Sequence, residues 1–105
     1  MDREQFLKKV RALLAEAFGD RLQGVVLYGS EARGEAQPDS DIDLLVLLSG
    51  PVDWHDRWRI VDALYELQLE VENCRQLEAY PMDVAAYEAG ELTFFRNARR
   101  EGIRV

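Results

Sequence analysis

Residues 25–48, VVLYGSEARGEAQPDSDIDLLVLL, decide how the rest of the chain is read. The stretch opens on a short apolar, β-branched run over residues 25–28, suited to a buried strand, and Gly29 ends it. A second apolar run, from Asp41 to about Leu48, opens with two aspartates one residue apart. Residues 30–40 hold no apolar side chain larger than alanine, and Pro38-Asp39-Ser40 is turn chemistry. That span is therefore expected to be a loop, with a helical turn over residues 30–34.

Outward from this centre the pattern is that of an α/β (α+β) chain. Phe6, Val10, Leu13, Leu14, Ala17 and Phe18 recur at helical spacing between charged residues, so an amphipathic helix is expected over residues 2–18, stopped by Gly19-Asp20. Ser49-Gly50-Pro51 breaks the second strand, and Asp53 is a natural N-cap for a helix running to about Glu72. Trp54, Trp58, Ile60, Val61, Leu64, Tyr65, Leu67 and Val71 cover a broad face of it, which predicts a helix lying across the sheet. Residues 77–86 read as a third strand, with Pro81 placing it at an edge or a bulge. A last helix is expected over residues 93–101, with Gly102 as its C′ residue and Ile103 and Val105 covering the core.

The chain has 105 residues, one cysteine and no internal repeat or linker, so one domain spanning residues 1–105 is expected. Thirteen basic against twenty acidic side chains give a net charge of -7. Such a chain repels polyanions, which argues against non-specific nucleic-acid binding and favours a basic partner. No stretch reads as a signal peptide or a membrane span, and Cys74 has no internal disulfide partner; a soluble, cytoplasmic protein is the simple expectation.

Asp41 and Asp43 stand at i and i+2 of a strand, so both carboxylates leave one face with their α-carbons roughly 6.6 Å apart. Ile42 and Leu44 point the other way, into the core, and fix that register. Two like charges so placed suit a cation, and oxygen-only ligands suit Mg²⁺ or Mn²⁺ arriving with substrate phosphates rather than Zn²⁺. Taken alone, a D-x-D tripeptide can equally be turn and capping chemistry. The neighbouring loop adds weight to the first reading. Gly29 permits a sharp turn and a close ligand approach, Ser30 offers an N–H and a hydroxyl to a phosphate oxygen, and Arg33 adds a fork of donors. A P-loop is excluded, because Glu35-Ala36 stand where Lys and Ser or Thr are required.

Gly29-Ser30-x-Ala32-Arg33-Gly34, five residues, then Ser40-Asp41-Ile42-Asp43-Leu44 resembles the signature of the nucleotidyltransferase superfamily related to DNA polymerase β, and the short chain resembles its minimal branch. The resemblance implies a twisted, mixed β-sheet flanked by helices, with the triphosphate of ATP on the Gly29-Ser30 turn. It also implies two Mg²⁺ ions held by Asp41, Asp43 and a third carboxylate on a later strand, the clamp used for in-line displacement of pyrophosphate. Asp83 is the candidate for that third position, because Met82 and Val84 alternate with it in the expected strand; the plain alternative is a solvated edge-strand aspartate. Minimal nucleotidyltransferases of this type resemble antitoxins that transfer AMP to a tyrosine of a HEPN-family ribonuclease toxin, so a HEPN toxin is the implied partner and acceptor. The rival expectation is a module that keeps the nucleotide grip and neutralises its partner by contact alone; transfer to a small molecule such as an aminoglycoside ranks below both. A homo- or hetero-oligomer is compatible with either.

The remaining chemistry-bearing residues have structural readings. His55 is expected to face solvent in a helix first turn, and Cys74 to be a small packing residue. Trp54 and Trp58 could stack an adenine but suit core or interface packing better. Arg96, Arg99 and Arg100 complement a helix C-terminus.

Overall fold

A computed structural model describes residues 2–38, 40–71, 75–90 and 102–105, and of Ser30 the backbone only. Asp2 starts helix α1 (Arg3–Phe18) through a capping box: its Oδ1 accepts from Gln5 N at 2.8 Å, and its own N–H donates to Gln5 Oε1 at 3.3 Å. Leu7, Val10, Leu14 and Phe18 form the buried stripe. Strand β1 (Leu22–Tyr28) begins three residues earlier than expected. Gln23 and Gly24 carry no strand signal of their own, yet Gly24 is held beneath the Arg104 side chain at an irregularity in the β1–β2 pairing.

Helix α2 (Gly29–Arg33) fills the expected helical turn and leads to strand β2 (Ile42–Leu48), which pairs antiparallel with β1. Helix α3 (Trp54–Glu70) then crosses to strand β3 (Leu77–Asp83), parallel to β2. The expected strand to residue 86 is corrected here. Asp83 accepts a hydrogen bond from Ala85 N at 3.0 Å and so caps helix α4 (Val84–Ala89), which ends at the left-handed Gly90. Strand β4 (Ile103–Arg104) pairs antiparallel with β1, giving a mixed sheet in the order β3-β2-β1-β4. The helix expected over residues 93–101 lies outside the described residues.

The sheet is covered on two sides. Val25, Leu27, Ile42, Leu44, Val46, Leu48, Leu77 and Ala79 face α1 and α3, and Ile103 packs on the same cluster. Val26, Leu45, Leu47 and Met82 face the other way, toward Tyr87 of α4. Burial from both sides explains why β1 and β2 read as continuous apolar runs instead of alternating ones.

Helix α3 buries Ile60, Leu64 and Leu67 but leaves Trp54, Trp58, Val61 and Tyr65 exposed, so its broad apolar surface is two faces, only one of which meets the sheet. Its start is fastened by Asp53, whose side chain caps the helix, and by Asp56. Asp56 is buried and paired with Arg21 at 2.9 Å and 3.3 Å, a bidentate contact that holds its carboxyl below the usual carboxylate range. The outer edge of β3 is partly closed: Leu77 N–H donates to Gln68 Oε1 at 2.7 Å, and Pro81 has no N–H to offer.

Candidate active site

Register sets the site. Tyr28 of β1 is opposite Asp43 of β2, and Asp43 is opposite Glu78 of β3, so three polar side chains stand abreast across the sheet. They share the face of Leu45 and Leu47, away from α1 and α3. Asp41, just ahead of β2, is exposed and near enough for its charge to act on Asp43. Asp43 is half-buried, and its carboxyl is pushed above the ordinary range first by that burial, then by the charges of Asp41 and Glu78; Arg33 pulls the other way. The Tyr28 hydroxyl is pushed up to about 12, chiefly by burial and next by Asp43.

Gly29 closes this row from above. Its φ of +72° is one that other L-residues rarely adopt, and a Cβ placed there would overlap Asp43 Oδ2. The turn backbone therefore runs directly over the carboxylate. The Gly29-Ser30 amides that begin α2 have no intrahelical acceptor, which leaves them suited to an anion. The Ser30 hydroxyl lies outside the described atoms. Arg33 is exposed, ion-paired with Glu35 at 3.1 Å, and close enough to Asp43 to stabilise its charge.

The loop between α2 and β2 is held by a residue that carries no sequence signal. Arg75, largely buried, donates to Ser40 O at 2.7 Å and pairs with Glu31 of α2 at 2.7 Å. Ser40 Oγ accepts from Gln37 N at 2.8 Å, and Ile42 N donates to Gln76 O at 2.9 Å. Asp41 is thus fixed from both neighbours.

The structure brings together Gly29, Arg33, Asp41 and Asp43. It does not bring Asp83 to them. Asp83 is opposite Leu48, five residues beyond the Asp43–Glu78 pair, or about 16 Å along the strands, and its side chain is occupied at the start of α4. The alternation used to choose it runs the other way, since Met82 faces the Asp43 side. The β3 carboxylate that stands beside Asp43 is that of Glu78. Its signal was in the sequence: it lies between inward-facing Leu77 and Ala79.

Among the described residues no three Asp, Glu, His or Cys side chains converge tightly enough to cage a metal unaided. The donor set nevertheless fits Mg²⁺, which is usually held by one or two carboxylates together with substrate phosphates, and the charges of Asp41 and Glu78, which add to burial in lifting the Asp43 carboxyl, are what a cation would offset. A cavity of about 310 Å³, lined by Arg3, Leu27, Glu31, Ile42 and Arg75, belongs to the helix side of the sheet and does not include the acid row. His55 and both tryptophans are exposed on α3, on the helix side. Cys74, Arg96, Arg99 and Arg100 lie outside the described residues.

A small mixed sheet flanked by helices, with a glycine turn above paired strand aspartates, defines a protein of the minimal nucleotidyltransferase fold. The chain belongs to the family of the nucleotidyltransferase domain, whose model matches residues 6–103. A chain of a toxin–antitoxin complex crystallised with AMP-PNP superposes with a TM-score of 0.66 at 22% identity, over 92% of this chain and 69% of that one. A chain from a complex of tri-AMPylated Shewanella oneidensis HEPN toxin with its MNT antitoxin gives 0.62 at 18% identity, over 98% and 71%. A Methanocaldococcus jannaschii protein, provisionally named a protein adenylyltransferase, is 46% identical over 44 residues; the match takes in 42% of this chain and 27% of that protein. Among the described residues no helix is long and apolar enough to cross a membrane.

Proposed function

We propose that this protein transfers AMP from ATP to a tyrosine hydroxyl of a HEPN-family toxin and so acts as the antitoxin of a pair. The observation that carries the reading is the Asp43–Glu78 row directly under the Gly29 turn, with Asp41 beside it. The solved toxin–antitoxin complexes of the same fold, one with a nucleotide analogue and one with an AMP-modified toxin, support it.

The Gly29-Ser30 amides and Arg33 receive the triphosphate. Asp41 and Asp43 would hold magnesium carried in with ATP, and the ion would supply charge stabilisation for the phosphoryl oxygens. The acceptor oxygen attacks the α-phosphorus, a P–O bond to the ester forms, the bond to pyrophosphate breaks, and the phenol proton passes to the Glu78 carboxylate. Tyr28, kept neutral by its surroundings, walls the row on the β1 side.

The test is incubation with labelled ATP, Mg²⁺ and the HEPN protein. Label is expected on the toxin with the wild-type chain and lost with Asp41→Ala or Asp43→Ala. Glu78→Gln should slow transfer about a hundredfold or more, whereas Asp83→Asn should leave the rate within about twofold. The separation of Asp83 from the acid row also favours a second reading, in which the partner is neutralised by contact alone. Toxin that stays unlabelled yet is neutralised by both aspartate variants would select that reading and reject transfer.

A further inference from the structure

Of the four tyrosines, three are set apart from the acid row or sealed within it. Tyr87 is buried in the small cluster at α4, Tyr65 stands on α3 at the helix side of the sheet, and Tyr28 is half-buried as the wall of the row. Tyr80 differs. It is opposite Leu45 in the β2–β3 register, so it shares the face of Asp43 and Glu78, and it is 44% exposed. Its hydroxyl donates to Glu78 Oε2 at 2.9 Å, and the Arg57 guanidinium lies 4.6 Å from the centre of its ring. A phenol of the chain itself is therefore already bonded to the carboxylate assigned above as proton acceptor, at the distance proton transfer requires. Glu78 is in turn one strand spacing, about 4.8 Å, from Asp43.

We propose, resting on the transfer reading of the acid row, that Tyr80 is an internal acceptor: without a partner, the chain transfers AMP from ATP to its own Tyr80 hydroxyl. Tyr80 Oη attacks the α-phosphorus and a phenol–phosphate ester bond forms. The bond to pyrophosphate breaks, its electron pair leaves with the pyrophosphate, and the phenol proton passes to the Glu78 carboxylate. A phenol arriving from solution loses its translational freedom on docking, whereas Tyr80 is tethered two residues from Glu78 and reacts with the advantage of an intramolecular group. The product silences the site. Its adenylate stays over Glu78 and fills the place of an incoming nucleotide. A partner's phenol, by contrast, has to displace Tyr80 from Glu78 before it reacts, so partner and self-modification compete.

The test is incubation of the chain alone with ATP and Mg²⁺, read by intact mass and peptide fragmentation. A gain of one adenylyl group on Tyr80 is expected, absent from Tyr80→Phe and Asp43→Ala and slowed about a hundredfold in Glu78→Gln. The modified fraction should grow at the same rate over about a tenfold range of chain concentration, and the wild-type chain should leave added Asp43→Ala unlabelled. Once modified, the chain should bind a non-hydrolysable ATP analogue at least about tenfold more weakly in isothermal titration. Label on another residue, label passed to the Asp43→Ala chain, or undiminished analogue binding overturns the proposal. A HEPN protein that is labelled while the chain stays bare under both conditions also overturns it and leaves the transfer reading standing. A labelled chain beside a bare HEPN protein upholds it and rejects the toxin as acceptor; no label on either rejects both.

Discussion

At the scale of single residues, Asp43 bears the cost of the site. Its carboxyl is lifted above the ordinary 3.8, so the folded state holds the proton more readily than the unfolded chain does. The resulting destabilisation is complete at neutral pH and disappears as the pH falls below about 4. Asp43→Asn should therefore melt higher than the wild type at neutral pH, with the difference shrinking in acid. Scanning calorimetry across pH checks this, and an Asp43→Asn chain that melts at or below the wild type would refute it. Gly29→Ala should be damaging in a different way, since its methyl group meets Asp43 itself: transfer should fall about a hundredfold while ATP analogues still bind weakly, as isothermal titration would show. That Gly29, Asp41 and Asp43 would come together was legible because Gly29 ends one apolar run and the two aspartates open the next, and the two runs pair as neighbouring strands. Alternation with Leu77 and Ala79 gives the face of Glu78, but which residue of that face stands beside Asp43 is set by the parallel register, which no local pattern encodes.

At the scale of elements, two arginines tie the loops to the frame. Arg75 spans α2, the loop and the approach to β3, and removing it leaves Ser40 O and Glu31 without their partner. Arg75→Ala should lower stability by about 2 kcal/mol and transfer by at least about tenfold, read in denaturant titration and single-turnover kinetics. Arg21 holds the buried Asp56 at the head of α3. The Asp56 carboxyl lies below its ordinary value near 3.8, so its stabilisation is fully present above that value and is lost as the pH falls through and below it. Arg21→Ala should remove that acid-side sensitivity along with about 2 kcal/mol at neutral pH, a loss limited by the partial exposure of Arg21. Helices α1 and α3 and strands β1 and β2 could be read from periodicity, because their patterns are local. The boundary between β3 and α4 could not, because Asp83 suits a strand end and a helix cap equally until its own hydrogen bond decides.

At the scale of the whole molecule, the two sides of the sheet have separate tasks. One carries α1, α3 and most of the core; the other carries the acid row and a small cluster under Tyr87. A net charge of -7 predicts that association with a basic partner weakens and slows as salt rises, which stopped-flow binding over a salt series checks. The mixed sheet was foreseeable through the family resemblance; the outward turn of the Trp54 and Trp58 face was not, since a helix whose apolar residues exceed one buried stripe looks the same whether the surplus meets core or water. The finishing of β3 matters beyond this molecule. With one amide missing at Pro81 and another engaged by Gln68, that border offers incoming chains little to zip onto, so a protein that is nearly half apolar can remain crowded among its own kind without growing into fibres.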